Sequence, residues 1–103
     1  MNKAYSKTIP RAWRHIAKVF SALGDEQRQR ILLLFEPQEE LNIAQIVAVS
    51  PLGRTAVTHH LRVLRDAGIL TSHKTGKEVY FRIDKDYLLD ALTRVRDYIE
   101  EQV

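Results

Sequence analysis

The sequence predicts a mainly α domain of the α+β class, with five helices and one two-stranded β-hairpin. Three observations carry that prediction. Apolar residues recur at three- and four-residue steps over most of the chain, the mark of helices with one buried face. The period drops to two in one stretch, where Val79, Phe81 and Ile83 alternate with Tyr80 and Arg82, as in a half-buried strand. The 103 residues suit a single domain, and 45% hydrophobic with 28% charged residues is ordinary for a folded globular chain.

Residues 1–10 are expected to be a flexible basic tail, and residues 11–103 the folded domain. The first helix is predicted from Arg11 to about Leu23, with Trp13, Ile16, Ala17, Phe20 and Leu23 on one face. Gly24 is expected to close it in a left-handed conformation, and Asp25 to cap the next helix. That second helix is predicted to run from Glu26 to Glu36, largely buried through Ile31, Leu32, Leu34 and Phe35, and to stop at Pro37. Leu41 and Ile43 lead into a short third helix containing Ile46 and Val47. Ser50-Pro51-Leu52-Gly53 reads as a turn. The fourth helix spans Arg54 to Asp66 with a core stripe of Val57, Leu61 and Leu64, and Gly68 ends it. Two extended runs follow, with the turn at Thr75-Gly76. The last helix is predicted over Asp84 to Val103 and carries two apolar stripes. Leu88, Leu92, Val95 and Ile99 form one; Tyr87, Ala91, Arg94 and Tyr98 form the other. Two stripes are more than the edge helix of a monomer needs. A tight turn between two helices, followed at once by a basic hairpin, is a winged helix-turn-helix.

Composition and charge narrow the function. The absence of cysteine excludes disulfides, thiolate metal ligands and cysteine nucleophiles. No apolar run reaches the roughly 18 residues of a membrane span, and the basic N-terminus lacks the apolar stretch of a secretory signal, so a cytoplasmic location is expected. The net charge of +3 hides an alternation: +5 over residues 1–23, −3 over 24–53, +4 over 54–82 and −3 over 83–103. Folding can gather the basic segments on one face, which suits a polyanion. No phosphate loop, nucleophile elbow or H-E-x-x-H motif is present, so an enzyme is not expected.

Two segments and the hairpin resemble the ArsR/SmtB-type bacterial regulators. FSALGDEQRQRILLLF, Phe20 to Phe35, is similar to that family's opening pattern F-x-A-L-A-D-x-x-R-x-R-I-L. LGRTAVTHHLRVLRDAGIL, Leu52 to Leu70, resembles its recognition helix, with Val57, Thr58, His60, Leu61, Leu64, Ala67 and Gly68 at matching positions. GKEVYFRI, Gly76 to Ile83, is similar to its wing strand. The resemblance implies a homodimeric winged-helix transcriptional regulator. Such proteins usually repress from an inverted-repeat operator, and many are released by a metal ion or another inducer. It places the dimer interface on the first and last helices. The chain departs from the family at its metal sites. Leu41-Asn42-Ile43-Ala44-Gln45 lacks the C-x-C of arsenic- or lead-type members, and the last helix lacks the histidines of zinc- or nickel-type members. Neither standard metal site carries over, no cofactor is expected, and the inducer stays unidentified. Gly53 stands where the family usually has Ser or Thr before the recognition helix.

The candidate DNA-binding residues are Arg54, Thr55, Thr58, His59 and Arg62 on the polar side of the fourth helix, with Lys74 and Lys77 on the wing. Arg54 has a guanidinium fork suited to guanine O6 and N7, and the threonines suit phosphate or a thymine methyl. Arg65 lies further along and suits the DNA backbone. Lys74 and Lys77 suit phosphates beside the groove, His73 can add charge when protonated, and Lys3, Lys7, Arg11 and Arg14 can trail onto the duplex. His60 is read as a structural histidine beside the core stripe. The candidate dimer surface is Trp13, Ile16, Phe20, Tyr87, Leu88, Ala91, Leu92, Val95, Tyr98 and Ile99, shared in some way with the monomer core. Two alternatives stand beside DNA binding. A protein-interaction winged helix predicts an acidic or apolar outer face on the fourth helix. A metal-responsive repressor with a non-standard site would draw on His15, His73 and the acidic last helix.

Overall fold

The computed structural model describes residues 1–5 and 7–103. Its elements run α1 (Arg11–Leu23), α2 (Glu26–Leu32), β1 (Leu41–Asn42), α3 (Ile43–Val49), α4 (Arg54–Asp66), β2 (Leu70–Thr75), β3 (Glu78–Ile83) and α5 (Lys85–Gln102). The fold is a winged helix-turn-helix of five helices. Its sheet differs from expectation: it has three antiparallel strands in the order β1-β3-β2, not two. β1 pairs Leu41 with Phe81 and Asn42 with Tyr80 on the far edge of β3. Two residues are too few to display a period of two, so this strand is invisible to patterning.

One core joins the elements. Val57, Leu61 and Leu64 of α4 are fully buried, as predicted, against Ile46 of α3, Ile31 of α2, Ile69, Leu70 and Phe81. Val19 on α1 and Ala91 on α5 also lose all contact with solvent. The α1 face is rotated from the one predicted. Ile16, Val19 and Ala22 point inward, whereas Ala17 is exposed and Phe20 retains 43% of its surface. Trp13 and Leu23 pack at the margin of the core. With mixed apolar residues on both sides of α1, periodicity alone does not tell which side the rest of the fold covers.

Caps explain most of the boundaries. Asp25 Oδ1 accepts from the backbone N–H of Gln27 at 2.8 Å and of Arg28 at 3.2 Å, as expected of an N-cap. Asn42 and Gln45 form a reciprocal capping box at α3, with Gln45 N–H donating to Asn42 Oδ1 and Asn42 N–H donating to Gln45 Oε1. Asp84 Oδ1 accepts from Tyr87 N–H at the start of α5. Gly24, however, is right-handed at φ −73°, not left-handed. Asp25 starts the next helix immediately, so no left-handed reversal is needed there. Gly68 is left-handed at φ +85°. Its N–H donates to Arg65 O, and Ile69 N–H reaches back to Leu64 O, the two bonds of a Schellman motif.

α2 ends at Leu32, short of the predicted Glu36. Leu34 N–H to Ile31 O and Phe35 N–H to Leu32 O tighten the chain out of α-helix, leaving Leu33 84% exposed. Glu36 to Glu39 then forms a turn closed by Glu39 N–H to Glu36 O, with Pro37 second and Gln38 third at φ +63°. That is type II geometry, in which the third position favours Gly or Asn. Gln38→Gly is therefore expected to keep the fold and raise unfolding free energy by up to about 1 kcal/mol in urea titration, because a left-handed L-residue is relieved.

The wing is a tight hairpin. Thr75 pairs with Glu78, leaving Gly76-Lys77 as a two-residue loop with Gly76 at φ +62°, the first central position of a type II′ turn. On α5, Ala91 is buried and Leu88 and Val95 are half-buried against the core, while Leu92, Tyr98 and Ile99 face out. The inward line thus draws on both predicted stripes. Among the described residues, no helix is long and apolar enough to cross a membrane.

Candidate nucleic-acid interface

The same amphipathy that buries Val57, Leu61 and Leu64 turns the other side of α4 outward. Arg54, Thr55, His59 and Arg62 are exposed and Thr58 is half-exposed. Arg54, Thr55, Thr58, His59 and Arg62 line one open concavity, so the predicted contact residues on this helix come together. Among the described residues, Arg54 and Arg62 have no acidic partner within ion-pair distance, whereas Arg65 leans on Asp66 at 3.7 Å. Two guanidinium groups are therefore free to meet an external anion or base edge. Gly53 provides no side-chain cap, and the space around it is open.

The wing, β2 and β3, follows α4 directly in the chain. Lys74 near the end of β2 and Lys77 in the β2–β3 turn are both exposed. His73 is differently employed. Its ring stacks on Tyr80 with centroids 6.0 Å apart, and its Nε2 lies 3.1 Å from Glu40 Oε2, tying the wing to the segment before β1. Lys3, Lys7, Arg11 and Arg14 are exposed, the first two outside any helix or strand.

His60 sits on the inner shoulder of α4, as a structural histidine should. Its Nδ1 lies 3.3 Å from Nη1 of Arg28 on α2. Arg28 Nε donates to Ala22 O at 2.7 Å and Nη2 to Ser21 O at 3.4 Å, both at the end of α1, and Nη1 is 3.8 Å from Asp25 Oδ2. Burial pushes the His60 pKa down. Asp25 opposes that shift, while the Arg28 and His59 charges add to it. The backbone N–H of Arg28 holds the Asp25 carboxyl below its usual range; burial opposes this, and the Gln27 N–H and the charges of Arg28 and His60 assist. Sequence reasoning missed Arg28. Its spacing of three from the Asp25 cap was visible, but the partner 32 residues away was not.

The candidate dimer surface divides. Ile16 and Ala91 belong to the protomer's own core and cannot present area to a partner. Trp13, Tyr87, Leu88 and Val95 are half-buried within the protomer. Trp13 meets Tyr98 edge-on at 5.2 Å, and Tyr87 meets His15 at 5.7 Å. Phe20, Leu92, Tyr98 and Ile99 remain 41–53% exposed, an apolar set on α1 and α5. Among the described residues, no group of three or more His, Asp or Glu side chains is gathered to hold a metal ion.

Comparison with known proteins supports the winged helix-turn-helix fold. The family model described as bacterial regulatory protein, arsR family, matches residues 25–72, which include the Asp25 cap, α2, α3, α4 and the start of β2. The chain is similar to a cadmium resistance transcriptional regulatory protein CadC homolog of Staphylococcus aureus, 33% identical over 73 residues, covering 71% of this chain and 60% of the relative. The chain thus spans less than two thirds of that relative's length. Among solved structures, an ArsR-like transcriptional regulator from Rhodococcus sp. RHA1 superposes with TM-score 0.78 at 27% identity, covering 86% of this chain and 83% of that one. A homodimeric winged helix-turn-helix DNA-binding domain from Mycobacterium bovis shares the fold with TM-score 0.69 at 22% identity, covering 96% and 94% of the two chains.

Proposed function

The chain belongs to the ArsR family of bacterial regulatory proteins, and from that premise we propose that it is a dimeric, sequence-specific DNA-binding repressor acting on an inverted-repeat operator in the cytoplasm. The observation that carries this reading is the outer face of α4, where Arg54 and Arg62, without an acidic partner among the described residues, stand beside Thr55, Thr58 and His59. An interaction module of the protein-binding kind would call for acidic or apolar residues there.

In this reading α4 enters the major groove by its N-terminal half. Arg54 reads guanine through a bidentate pair, worth about 1–3 kcal/mol of discrimination. Thr55, Thr58 and His59 contact phosphate or base edges, and Arg62 serves the backbone. Lys74 and Lys77 at the wing tip neutralise phosphates flanking the groove. Residues 1–10 act as a basic arm to the domain of residues 11–103. Many members of the family release DNA on binding a metal ion or another inducer. With no cysteine in the chain and no histidine on α5, neither standard metal site has its ligands here, so any inducer would be a different ligand or would bind a differently built site.

Dimerisation is supported by the exposed apolar set Phe20, Leu92, Tyr98 and Ile99 and by the homodimeric state of the Mycobacterium bovis domain. A twofold pair would set two α4 helices about 34–36 Å apart, one turn of duplex. Ile99→Asp places a charge in that surface at a residue that is 53% exposed and lies outside the buried core. It is expected to convert a dimer to a folded monomer in sedimentation velocity, with helix content retained. A dimer that persists in Ile99→Asp would move the interface elsewhere.

The function is tested by enriching duplexes from a random library of about 20 base pairs with the purified protein and measuring affinity at about 50 and 200 mM salt. Enrichment of a palindromic site is expected, with affinity falling by about 10³-fold or more if six or more phosphates are contacted. Failure to enrich any duplex would refute the reading.

A further inference from the structure

Arg28 is a cation with only 14% of its side chain exposed, and it faces the inner side of α4 away from the contact surface. Its guanidinium is fixed on three sides: by the Ala22 and Ser21 carbonyls at the end of α1 and by the Asp25 carboxylate before α2. The fourth side holds His60 Nδ1. Arginine has no acceptor, so Nδ1 must offer its lone pair and the ring proton must sit on Nε2. This contact joins the end of α1, which leads into the proposed dimer surface, to the helix proposed to read DNA.

We infer that the Arg28–His60 contact is a positioning clasp that seats α4 for specific DNA binding, and that protonation of His60 opens it. The inference rests on the DNA-binding reading above. Protonated Nδ1 would turn a donor toward a donor and one cation toward another. Arg28 is held by its other three partners, so the ring and the turn of α4 that carries it give way. His60 lies two residues after Thr58 and two before Arg62, so a shift there displaces the contact face. The charged groups acting on His60 are Asp25 and Arg28 from the α2 side and His59 on its own helix; from α1 only backbone carbonyls reach the clasp, through Arg28. Of these groups only Asp25 favours the cation, and its carboxylate is already engaged by Arg28 and two backbone amides.

The sign follows from the direction of the shift. A histidine whose folded pKa lies below the ordinary 6.5 keeps its neutral contact above that value and loses it as pH falls through its own lowered pKa. The test compares wild type with His60→Asn, whose Oδ1 can take the Nδ1 position, accept from Arg28 and not titrate. Both bind the duplex enriched by wild type near pH 8, and the affinity ratio between about pH 8 and about pH 5 is measured for each. The two proteins differ only at position 60, so the comparison isolates His60. The wild-type ratio is expected to exceed the His60→Asn ratio by about fivefold or more; equal ratios would overturn the clasp.

If His60→Asn fails to fold, imidazole nitrogen NMR on wild type replaces it. By reciprocal linkage, adding duplex should lower the His60 titration midpoint. A His60 midpoint that stays or rises would contradict the inference. Failure of wild type to enrich any duplex near pH 8 is a distinct result, and it would strike the DNA-binding reading itself.

Discussion

Gly68→Ala is expected to lower the unfolding free energy by about 2–5 kcal/mol, from left-handed strain and overpacking combined. Gly68 sits at φ +85°, where an L-residue is strained even with room to spare. There is no room: an added Cβ would lie 2.6 Å from Cζ of Tyr87 and closer still to its Cε1. The tyrosine comes from the first turn of α5 and itself packs on His15 of α1. The glycine therefore lets α4 end, β2 begin and α5 cross over them in one place. Because the left-handed turn and the ring act separately, Tyr87→Ala should remove the clash and leave the backbone cost of about 1–2 kcal/mol. Urea unfolding of the two single variants and the double variant checks this. A coupling of zero between positions 68 and 87 would mean that the ring yields freely.

Arg54→Ala is expected to weaken binding to the preferred duplex by roughly 5- to 150-fold, the equivalent of about 1–3 kcal/mol, and to change binding to random duplex far less. Arg54 has no acidic partner to release within the described protein, so its loss should be felt at the DNA and not in the fold. Lys77→Ala should do the opposite. It should weaken all duplexes alike and reduce the slope of log affinity against log salt by about 0.9. Titrations of both variants on preferred and random duplexes, at two salt concentrations, separate base reading from phosphate contact. Equal losses on both duplexes for Arg54→Ala would make Arg54 a backbone contact instead.

The parts of this molecule legible in its sequence are those set by local pattern. The Val57-Leu61-Leu64 stripe orients α4, and once that stripe is inward, Arg54, Thr58 and Arg62 must be outward. Asp25 as a cap and Gly68 as a left-handed terminator follow from residue chemistry alone. What escaped is decided by distant partners. β1 exists because β3 has a free edge, not because Leu41-Asn42 has strand character. α1 turns Val19 inward and Phe20 outward because of what packs on it. The left-handed conformation expected at Gly24 is absent because the next cap follows without a gap. The Asn42–Gln45 capping box could have been read, since an N-cap residue followed three positions later by Gln is a recognised helix start. The Arg28–His60 pair could not, because neither residue predicts the other across 32 positions.

If the outward side of α4 meets DNA, amide NMR of the labelled protein titrated with its enriched duplex will locate the contact residue by residue. The largest shifts are expected on the amides from Gly53 to Arg62 and from Lys74 to Lys77, with little change from Leu33 to Gln38. Shifts concentrated on α2 or along α5, with Arg54 to Arg62 unmoved, would contradict that contact face.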